Sequence, residues 1–505
     1  MANDLQGKKI LIFQQRNWGR GIGHLLAKKL QAEGCRLAAL TLKRTIHEFV
    51  LNQKEVKYDL IIGNDEIMGS PKKYLGGENY SLQEICRELN VDSIWPIVSS
   101  MRNHVKSYKD KFYYSFRQNV PDEEIVDFVM ATYKYIREFF REFKPDLVIT
   151  PNFPSLPHLM FYFYAKKHGV PMIGITDSKV QGHFIFTHSY LDDQGPFFER
   201  LDELNNGRAD SANRQRARGY IEEFRQIFNR SPQAQLQRRN WKQKIRRELS
   251  PFYHSLKWYL KPSINYLEST GITIDYRPPR IILRDHYARK RYEKFMNNYQ
   301  YYPLEKARKF VYFPLQVQPE EAIDVYAPFF SNQIETARLV AQSLPDDYTL
   351  IVKDHPAMYG LHPPSYLEKI ARTPNVKLVD YRIPSGELLR RADLVIGPSG
   401  TTLAEAPFFF KPVIQLGNLG TTLRLPTVFR HTDMTTLAAK IKEVLAMNHR
   451  TAENERRLEN YVAAVYDTGF DYDYIAAWER GRGDKEELWQ IYRREIEKTL
   501  SKDNR

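Results

Sequence analysis

Cysteine is scarce in this sequence, and the scarcity limits where the protein works. Only Cys35 and Cys86 occur among 505 residues, and they lack the spacing of metal ligands. Two cysteines are too few for the disulfide framework that stabilises small secreted domains. We therefore expect a reducing compartment, with the cytoplasm as the default location.

Long apolar runs are missing as well. No segment reaches the roughly 18 uninterrupted apolar residues that a membrane-spanning helix needs. The amino-terminal run KKILIF is too short for the apolar part of a signal peptide and leads directly into a glycine-rich segment. We expect a protein that is soluble or peripheral at the inner face of the plasma membrane.

Three familiar motifs are absent from the sequence. There is no strong D-x-D metal motif, since Asp192 and Asp193 lie in an isolated loop segment. The amino-terminal glycines do not fit a strict G-x-G-x-x-G, so a dinucleotide fingerprint is weak. No repeat of solenoid period occurs. We accordingly expect neither a metal nor a bound cofactor.

Positive charge is concentrated in one part of the chain. Gly207 to Lys309 contain 24 Lys and Arg but 9 Asp and Glu, a surplus of 15 in a chain whose net charge is +14. Aromatic residues such as Trp241, Phe252 and Tyr253 lie among these basic residues. This composition suits a helical surface on anionic lipid, and a solvated helical linker is the open alternative. No nucleic-acid partner is expected, because no RNA- or DNA-binding motif is recognisable.

Short apolar strands alternate with helices in both halves of the chain. Examples are KKILIF, CRLAALTL, YDLIIG and PDLVITPN in the first half, and KFVYFPLQ, YTLIVKD, VKLVD, DLVIG and PVIQLG in the second. The alternation predicts parallel sheets with helices on both faces, and the length exceeds that of a single core. We predict an α/β fold of two Rossmann-like domains facing a cleft, with a basic helical linker and a helical carboxyl-terminal tail.

The predicted limits follow from these changes of pattern. They are 1–206 for an amino-terminal acceptor domain, 207–308 for the basic linker, 309–450 for a carboxyl-terminal donor domain and 451–505 for the tail. SIWPIVSS, from Ser93, is predicted as a further strand. The glycines before GHLLAKKLQAEG are predicted as a loop that opens this helix. In such sheets the ligand lies beyond the carboxyl ends of the strands.

One strand end in the second domain is rich in glycine and hydroxyl groups. Ser399, Gly400, Thr401 and Thr402 follow the strand DLVIG and begin a helix. Hydroxyls and backbone N–H groups at such a turn form a phosphate cradle, and simple helix capping is the alternative. Glu405, one turn later, suits ribose hydroxyls or is an ordinary acid in the first turn.

A second strand end supplies basic side chains. Lys353, Asp354 and His355 follow the apolar strand YTLIV, and Pro356 fixes the turn after them. Lys353 or His355 suits a phosphate or a leaving-group oxygen, with Asp354 orienting the imidazole. The alternative is a surface turn with a local ion pair.

The glycine-rich segment of the first domain supplies candidate acceptor-binding groups. Gly21 and Gly23 would allow a ligand to approach the backbone closely. His24, at the predicted helix start, suits a general base or an acceptor-binding group. A capping or packing histidine is the alternative.

Other polar residues follow the later strands of the first domain. Asn152 and His158 come after PDLVITPN and are candidates for acceptor binding. Asp177 follows PMIGIT and is the leading carboxylate for a general base, while an aspartate that caps the following turn is the alternative. Asp65 and Glu66, after YDLIIG, are rival carboxylates.

Several segments, taken in order, resemble a known family. VYFPLQVQPEEAIDVYAPFFSNQIE, KDHPAMYG, DLVIGPSGTTLAEA and KPVIQLG resemble capsule and surface-polysaccharide biosynthesis proteins of the GT-B type, including Kdo transferases, with a motif style similar to that of bacterial sialyltransferases. The resemblance covers about Lys309 to Gly420. It implies contacts to the donor phosphate from His355, Pro356, Ser399, Gly400 and Thr401. The acidic amino-terminal motif that carries the catalytic carboxylate in these enzymes is not evident.

The resemblance implies a glycosyltransferase that moves a sugar from a CMP- or UDP-linked donor to a surface polysaccharide or glycolipid. Our own hypothesis from the residues is that the transfer is metal-independent and inverting, with Asp177 or His24 as the base. A nucleotide-sugar 2-epimerase and a non-catalytic assembly protein of a polysaccharide machine are the open alternatives.

Overall fold

The computed structural model describes residues 5–101, 121–230, 241–260 and 279–502. Parts of the predicted basic linker, 231–240 and 261–278, lie outside the described residues. The chain forms two compact units. Residues up to Arg200 and residues from Val465 onward make the first unit, and the described part of Leu201–Ala464 makes the second.

Each unit is built on one sheet. The strands of the first are β1 Lys9–Gln14, β2 Arg36–Thr41, β3 Leu60–Gly63, β4 Leu147–Ile149, β5 Met172–Asp177 and β6 His183–Thr187, joined by β13 Phe470–Asp471. The strands of the second are β7 Phe310–Pro314, β8 Thr349–Lys353, β9 Val376–Val379, β10 Leu394–Gly397, β11 Val413–Gln415 and β12 Val428–Arg430. The orders are β13-β6-β5-β4-β1-β2-β3 and β12-β11-β10-β7-β8-β9.

The second sheet is parallel throughout, and the first is parallel from β5 to β3. At its other edge β6 runs antiparallel to β5, and β13 antiparallel to β6. The prediction of two Rossmann-like α/β units is therefore confirmed. The antiparallel edge is an addition that the sequence analysis did not anticipate.

Helices connect the strands of the first unit. Their bounds are Arg16–Trp18, His24–Ala32, Arg44–Asn52, Asn64–Gly69, Pro71–Leu75, Leu82–Leu89, Trp95–Val98, Asp122–Glu138, Leu156–Lys167, Tyr474–Arg480 and Lys485–Lys502. Pro196–Asn205 and Ala452–Thr468 pass from one unit to the other. Local chemistry sets several ends: Ser81 Oγ accepts from Glu84 N before Leu82–Leu89, and Asn90 ends that helix in the left-handed conformation.

The helices of the second unit cover both faces of its sheet. Their bounds are Arg214–Arg230, Trp241–Leu260, Pro279–Asn298, Glu321–Asp324, Gln333–Gln342, Pro364–Ala371, Ser385–Arg391, Thr401–Glu405, Gly420–Leu423 and Leu437–Ala446. Alternate residues of β7 enter opposite cores: Val311 and Phe313 pack on one face, Phe310 and Tyr312 on the other. This alternation explains why each strand is apolar along its whole length.

The predicted strand SIWPIVSS is wrong, because its centre forms the helical turn Trp95–Val98. Ile94, Ile97 and Val98 are buried, and their spacing of three and four residues is that of a helix face. Pro96 lies in the first turn, where its missing N–H costs nothing.

The predicted glycine loop is also wrong. Gly19–Gly23 is a π-helical turn that joins Arg16–Trp18 to His24–Ala32, so the chain is helical from Arg16 onward. Gly19 and Gly23 have helical backbone angles. A Cβ on Gly23 would collide with the Gln14 side chain and the Trp18 ring. These glycines therefore permit close packing of a helix.

The carboxyl-terminal segment belongs to the core of the first unit. Tyr474 and Tyr492 are fully buried beside Trp18, in the cluster that also contains the apolar residues of β1. Trp18 Nε1 donates to Tyr474 Oη at 2.7 Å, and the two tyrosine hydroxyls lie 3.2 Å apart. The compact units thus divide the chain near 200 and 464, where the sequence analysis expected limits near 206 and 450.

Candidate functional site

The second sheet has a switch point between β7 and β10. From β7 the chain proceeds to β8 and β9 on one side, and then to β10, β11 and β12 on the other. Ligands of open parallel sheets bind outside the carboxyl ends of the strands at such a point. The turn at Pro398 to Thr402, which follows β10, therefore lies at the edge where a ligand is expected.

Gly400 holds this turn close to the residues that follow β7. Its φ is +117°, and a Cβ would collide with the side-chain amide of Gln316. Glycine is needed here for both reasons, the backbone angle and the close approach. Gly417, after β11, is similarly tight, since a Cβ would lie 2.5 Å from Pro398 O.

The hydroxyls of the turn have different environments. Ser399 is fully buried, and its Oγ donates to Ala322 O at 2.5 Å. This hydrogen bond links the turn to the segment that follows β7. Thr401 is exposed and Thr402 half-buried at the start of Thr401–Glu405. Of the three predicted hydroxyls, those of Thr401 and Thr402 are the ones available to a ligand.

His355 presents one N–H donor after β8. Its Nδ1 accepts from Ala357 N at 3.1 Å in the helical turn Pro356–Met358, so the proton of the neutral imidazole lies on Nε2. Burial lowers the pKa of His355, which favours this neutral form. Pro356 begins the turn that places Ala357 N, so it acts on the imidazole through the backbone.

Asp354 does not orient the His355 imidazole, in contrast to the prediction. This buried carboxylate accepts from the backbone N of His355 at 2.9 Å and lies 3.0 Å from His362 Nδ1. The His362 ring stacks on Tyr366 with centroids 4.0 Å apart. The carboxylate therefore fixes the backbone of the turn, and His362 is a buried partner that the sequence analysis missed.

Lys353 is buried, and its ammonium group is used for contacts within the protein rather than for a ligand. Its Nζ donates to Ile383 O at 3.0 Å and to Ser385 Oγ at 2.9 Å. Burial lowers its pKa to about 8, although the nearby charge of Glu405 opposes the shift. Lys353 thus fastens β8 to the segment after β9, and the half-buried Glu405 lies within its electrostatic reach.

A second glycine and threonine turn follows β11, and the sequence analysis missed it. GNLGTT, Gly417 to Thr422, repeats the pattern of GPSGTT, Gly397 to Thr402, after the neighbouring strand. Thr421 and Thr422 are fully buried, and neither hydroxyl has a hydrogen-bond partner among the described residues. Tyr461 Oη donates to Thr421 O at 3.0 Å. The repeated hexapeptide was the signal that could have found this turn.

The switch point of the first sheet lies between β1 and β4. Asn152, half-buried, follows β4, and Thr150 Oγ1 donates to its carbonyl at 2.8 Å. Arg16, exposed and with φ +44°, lies two residues after the end of β1. Such a backbone angle on a bulky residue is uncommon, and Arg16 is a candidate that the sequence analysis did not name.

Gly21, Gly23 and His24 lie within helical structure, so the loop on which their acceptor role was based does not form. His24 Nε2 lies 2.8 Å from Glu55 Oε2, and its ring packs edge-on against Phe49. The hydrogen bond from His24 lowers the pKa of Glu55 to about 2. His24 thus already has a carboxylate partner.

His158 and Asp177 have very different surroundings. His158 is buried against Phe13, with Nδ1 3.0 Å from Ser155 Oγ, and burial lowers its pKa to about 3. Asp177 ends β5 at the hairpin to β6, where its carboxylate accepts from Lys179 N at 3.0 Å and pairs with Lys179 Nζ at 3.2 Å. His158 is inaccessible to an acceptor, and Asp177 caps a turn while remaining exposed.

A polar cluster at the carboxyl ends of β2 and β3 contains the rival carboxylates. Glu66 Oε2 lies 3.3 Å from His47 Nε2, and Lys43 Nζ lies 3.7 Å from Asp65. Thr41 Oγ1 donates to Ile62 O, so the 2.7 Å contact with His47 Nδ1 is one in which the imidazole donates. The sequence analysis missed His47, because only the fold brings it to Glu66.

No group of three or more His, Cys, Asp or Glu side chains suited to a metal ion occurs in the described residues. Within the same part of the chain, no helix is long and apolar enough to cross a membrane.

Residues 259–419 match the family model described as capsule polysaccharide biosynthesis protein. The match includes β7 to β11 and the turns at His355 and Gly400, which confirms the resemblance seen in the sequence. No curated protein matches the chain. The likeness to sialyltransferases stays a prediction.

Solved structures that align with this chain include two transferases and an epimerase. The beta Kdo 2,7 transferase KpsC of Thermosulfurimonas dismutans is 12% identical over 72% of this chain and 95% of that chain, with a TM-score of 0.36. The beta Kdo 2,4 transferase from the same organism is 13% identical over 64% and 79%, with a TM-score of 0.29. UDP-GlcNAc 2-epimerase from Neisseria meningitidis, bound to UDP-GlcNAc, is 13% identical over 91% and 99%, with a TM-score of 0.22. These scores are too low to carry an argument.

Proposed function

We propose that this protein is a glycosyltransferase that binds the phosphate of a nucleotide-sugar at the carboxyl edge of its second sheet. The observation that carries the proposal is the imidazole of His355, fixed by Ala357 N so that it presents Nε2–H beyond the end of β8. The Gly400 turn lies at the same edge, beyond β10, with the hydroxyls of Thr401 and Thr402. The family match over residues 259–419 supports the assignment.

Donors fixed in this way suit the charge that develops on a leaving nucleotide. Preorganised hydrogen bonds stabilise developing negative charge without reorganisation during the reaction. We propose that the donor is CMP- or UDP-linked, that transfer is metal-independent and inverting, and that the acceptor is a growing polysaccharide or a glycolipid reached from the cytoplasm. Asp177 and His24 stay the predicted bases, with the partners Lys179 and Glu55 described above.

The test is nucleotide binding by the full chain with His355 replaced. For His355→Ala we expect the dissociation constant for CMP or UDP, whichever binds, to rise about 10- to 100-fold, the value of a hydrogen bond to a charged group. His355→Gln keeps an N–H donor and should restore part of the affinity. His254→Ala, which removes an exposed histidine from Trp241–Leu260, is the matched control.

Titration calorimetry reads out this comparison. Undiminished affinity in His355→Ala would sink the donor assignment. Incubation of the protein with a UDP-sugar and no acceptor separates the alternatives, because a 2-epimerase would convert the sugar alone and a transferase would leave it intact. An assembly protein would neither convert nor transfer the sugar but would bind glycan.

A further inference from the structure

The helix Trp241–Leu260 uses one face for contacts within the second unit. It lies against Pro279–Asn298, where Arg247 pairs with Glu293 and Glu248 Oε2 lies 2.5 Å from Lys290 Nζ. Trp258, on this side of the helix, is buried. These two ion pairs and the buried indole of Trp258 hold the helix on the second unit.

A second side of the helix carries an apolar stripe, and on it Phe252 contacts the His286 ring of Pro279–Asn298 edge-on, with centroids 6.1 Å apart. At intervals of three and four residues, and with 49 to 71% of each side chain exposed, the stripe contains Trp241, Ile245, Leu249, Phe252, Leu256 and Tyr259. Residues at these intervals lie on one side of a helix. A helix of 20 residues is about 30 Å long, so the stripe extends for nearly that length. Single exposed apolar residues are normal on a soluble surface, whereas a contiguous apolar patch of this length is not.

Basic side chains border the stripe. At 100° per residue, Lys242 and Arg246 project along one edge of it, and both are exposed. The acidic residue of the helix, Glu248, projects toward Lys290 on the neighbouring helix and is neutralised there. The exposed side of the helix is therefore apolar at its centre and positive along its edge.

We propose that Trp241–Leu260 lies in the headgroup region of an anionic bilayer, with the stripe inserted and Lys242 and Arg246 on lipid phosphates. Apolar burial and electrostatic attraction act together in such interfacial helices. Trp241 and Tyr259, at the two ends of the stripe, are residue types that favour the membrane interface. The helix belongs to the unit with the proposed donor site, yet the inference does not depend on that site.

Two other partners fit the surface less well. Single-stranded nucleic acid stacks its bases on aromatic rings, whereas three of the six stripe residues, Ile245, Leu249 and Leu256, are aliphatic. A second copy would place one positive helix against another, because this helix has five Lys and Arg and a single Glu. An anionic lipid surface matches both the apolar stripe and its charge.

The test is cosedimentation of the full chain with phosphatidylcholine vesicles, with and without phosphatidylglycerol. We expect binding to the anionic vesicles that weakens as salt is raised. Lys242→Gln and Arg246→Gln should each lower the partition coefficient about fivefold, the effect of one basic residue near such a surface. Leu249→Asp with Leu256→Asp should abolish binding. Leu51→Asp with Ile475→Asp, exposed apolar residues of the first unit, is the matched control.

Four results would overturn the proposal. Vesicle binding that persists in Leu249→Asp with Leu256→Asp contradicts insertion of the stripe. Equal binding to neutral and anionic vesicles removes the role of the basic edge. If light scattering shows that the parent protein is a dimer and the stripe variant a monomer, the stripe binds a second copy. If the parent protein does not bind vesicles and the stripe variant loses affinity for an oligonucleotide, the stripe binds nucleic acid. Unchanged circular dichroism verifies that each variant is folded.

Discussion

At the scale of single residues, Lys353 has a titration that can be measured. Its pKa is lowered by burial from 10.5 to about 8, so unfolding takes up a proton between these values. Stability from this residue is therefore fully present above the unfolded pKa and is lost as pH falls through about 8, by up to about 3 kcal/mol. We expect the free energy of unfolding to rise between about pH 8 and 10, and Lys353→Met to flatten that rise.

Urea unfolding at several pH values measures this slope. Lys377→Met, which removes an exposed lysine from β9, serves as the control and should leave the slope unchanged. A Lys353→Met variant with the slope of the parent protein would contradict the assignment.

Thr421 and Thr422 provide a second test at this scale. A buried hydroxyl without a partner destabilises the fold, so Thr421→Val should raise the free energy of unfolding by about 1 kcal/mol. If the hydroxyl contacts the donor, the same variant should also gain less thermal stability from the nucleotide. Thr336→Val is the contrast, because Thr336 Oγ1 donates to Asn332 O and its removal should destabilise. Thermal unfolding with and without nucleotide decides between these outcomes.

Residue types could be predicted from the sequence more readily than their partners. His355 and Gly400 follow apolar strands, and that pattern alone placed them at a functional edge. The hydrogen bonds from Lys353 to Ser385 and from Ser399 to Ala322 could not be predicted, because they join residues that are 32 and 77 positions apart in the sequence. A buried lysine and an exposed lysine have the same sequence signature, so only the fold separates them.

At the scale of elements, the Gly400 turn should tolerate no side chain. Gly400→Ala must place a Cβ at φ +117° and against Gln316, so we expect a loss of more than about 2 kcal/mol of stability together with weaker nucleotide binding. Gly207→Ala separates the two causes, since its φ is +66° and its Cβ would meet nothing within 4 Å. Chemical denaturation that shows equal losses for the two variants would contradict the role of the Gln316 contact.

The errors in element prediction have local physical causes. Ile94, Ile97 and Val98 in SIWPIVSS satisfy a helical spacing, but the segment is short enough to read as a buried strand. Glycines near a strand end suggest a loop, whereas Gly23 meets the Trp18 ring from within a helix. Strand β6 was also missed, although it pairs with β5 in a local hairpin, and its second partner, β13, lies far away in the sequence.

At the scale of the whole molecule, the first unit depends on residues after Val465. Tyr474→Phe removes the acceptor of the buried Trp18 Nε1–H, and we expect it to cost about 1–3 kcal/mol. Tyr253→Phe, at an exposed hydroxyl, should cost little. Calorimetry of the full chain measures both, and the nucleotide-induced stabilisation should be equal in the two variants. If only Tyr474→Phe lost the nucleotide-induced stabilisation, nucleotide binding by the second unit would depend on the core of the first.

The return of the chain to its first unit has a consequence for biosynthesis. A ribosome makes about 5–20 residues per second, so Trp18 emerges long before Tyr474, which lies 456 residues later. All of Leu201–Ala464 is translated in that interval and has the residues for its own core. The amino-terminal unit, although begun first, is therefore the last to be completed, and a nascent chain must keep its unfinished apolar sheet from aggregating until the final helices arrive.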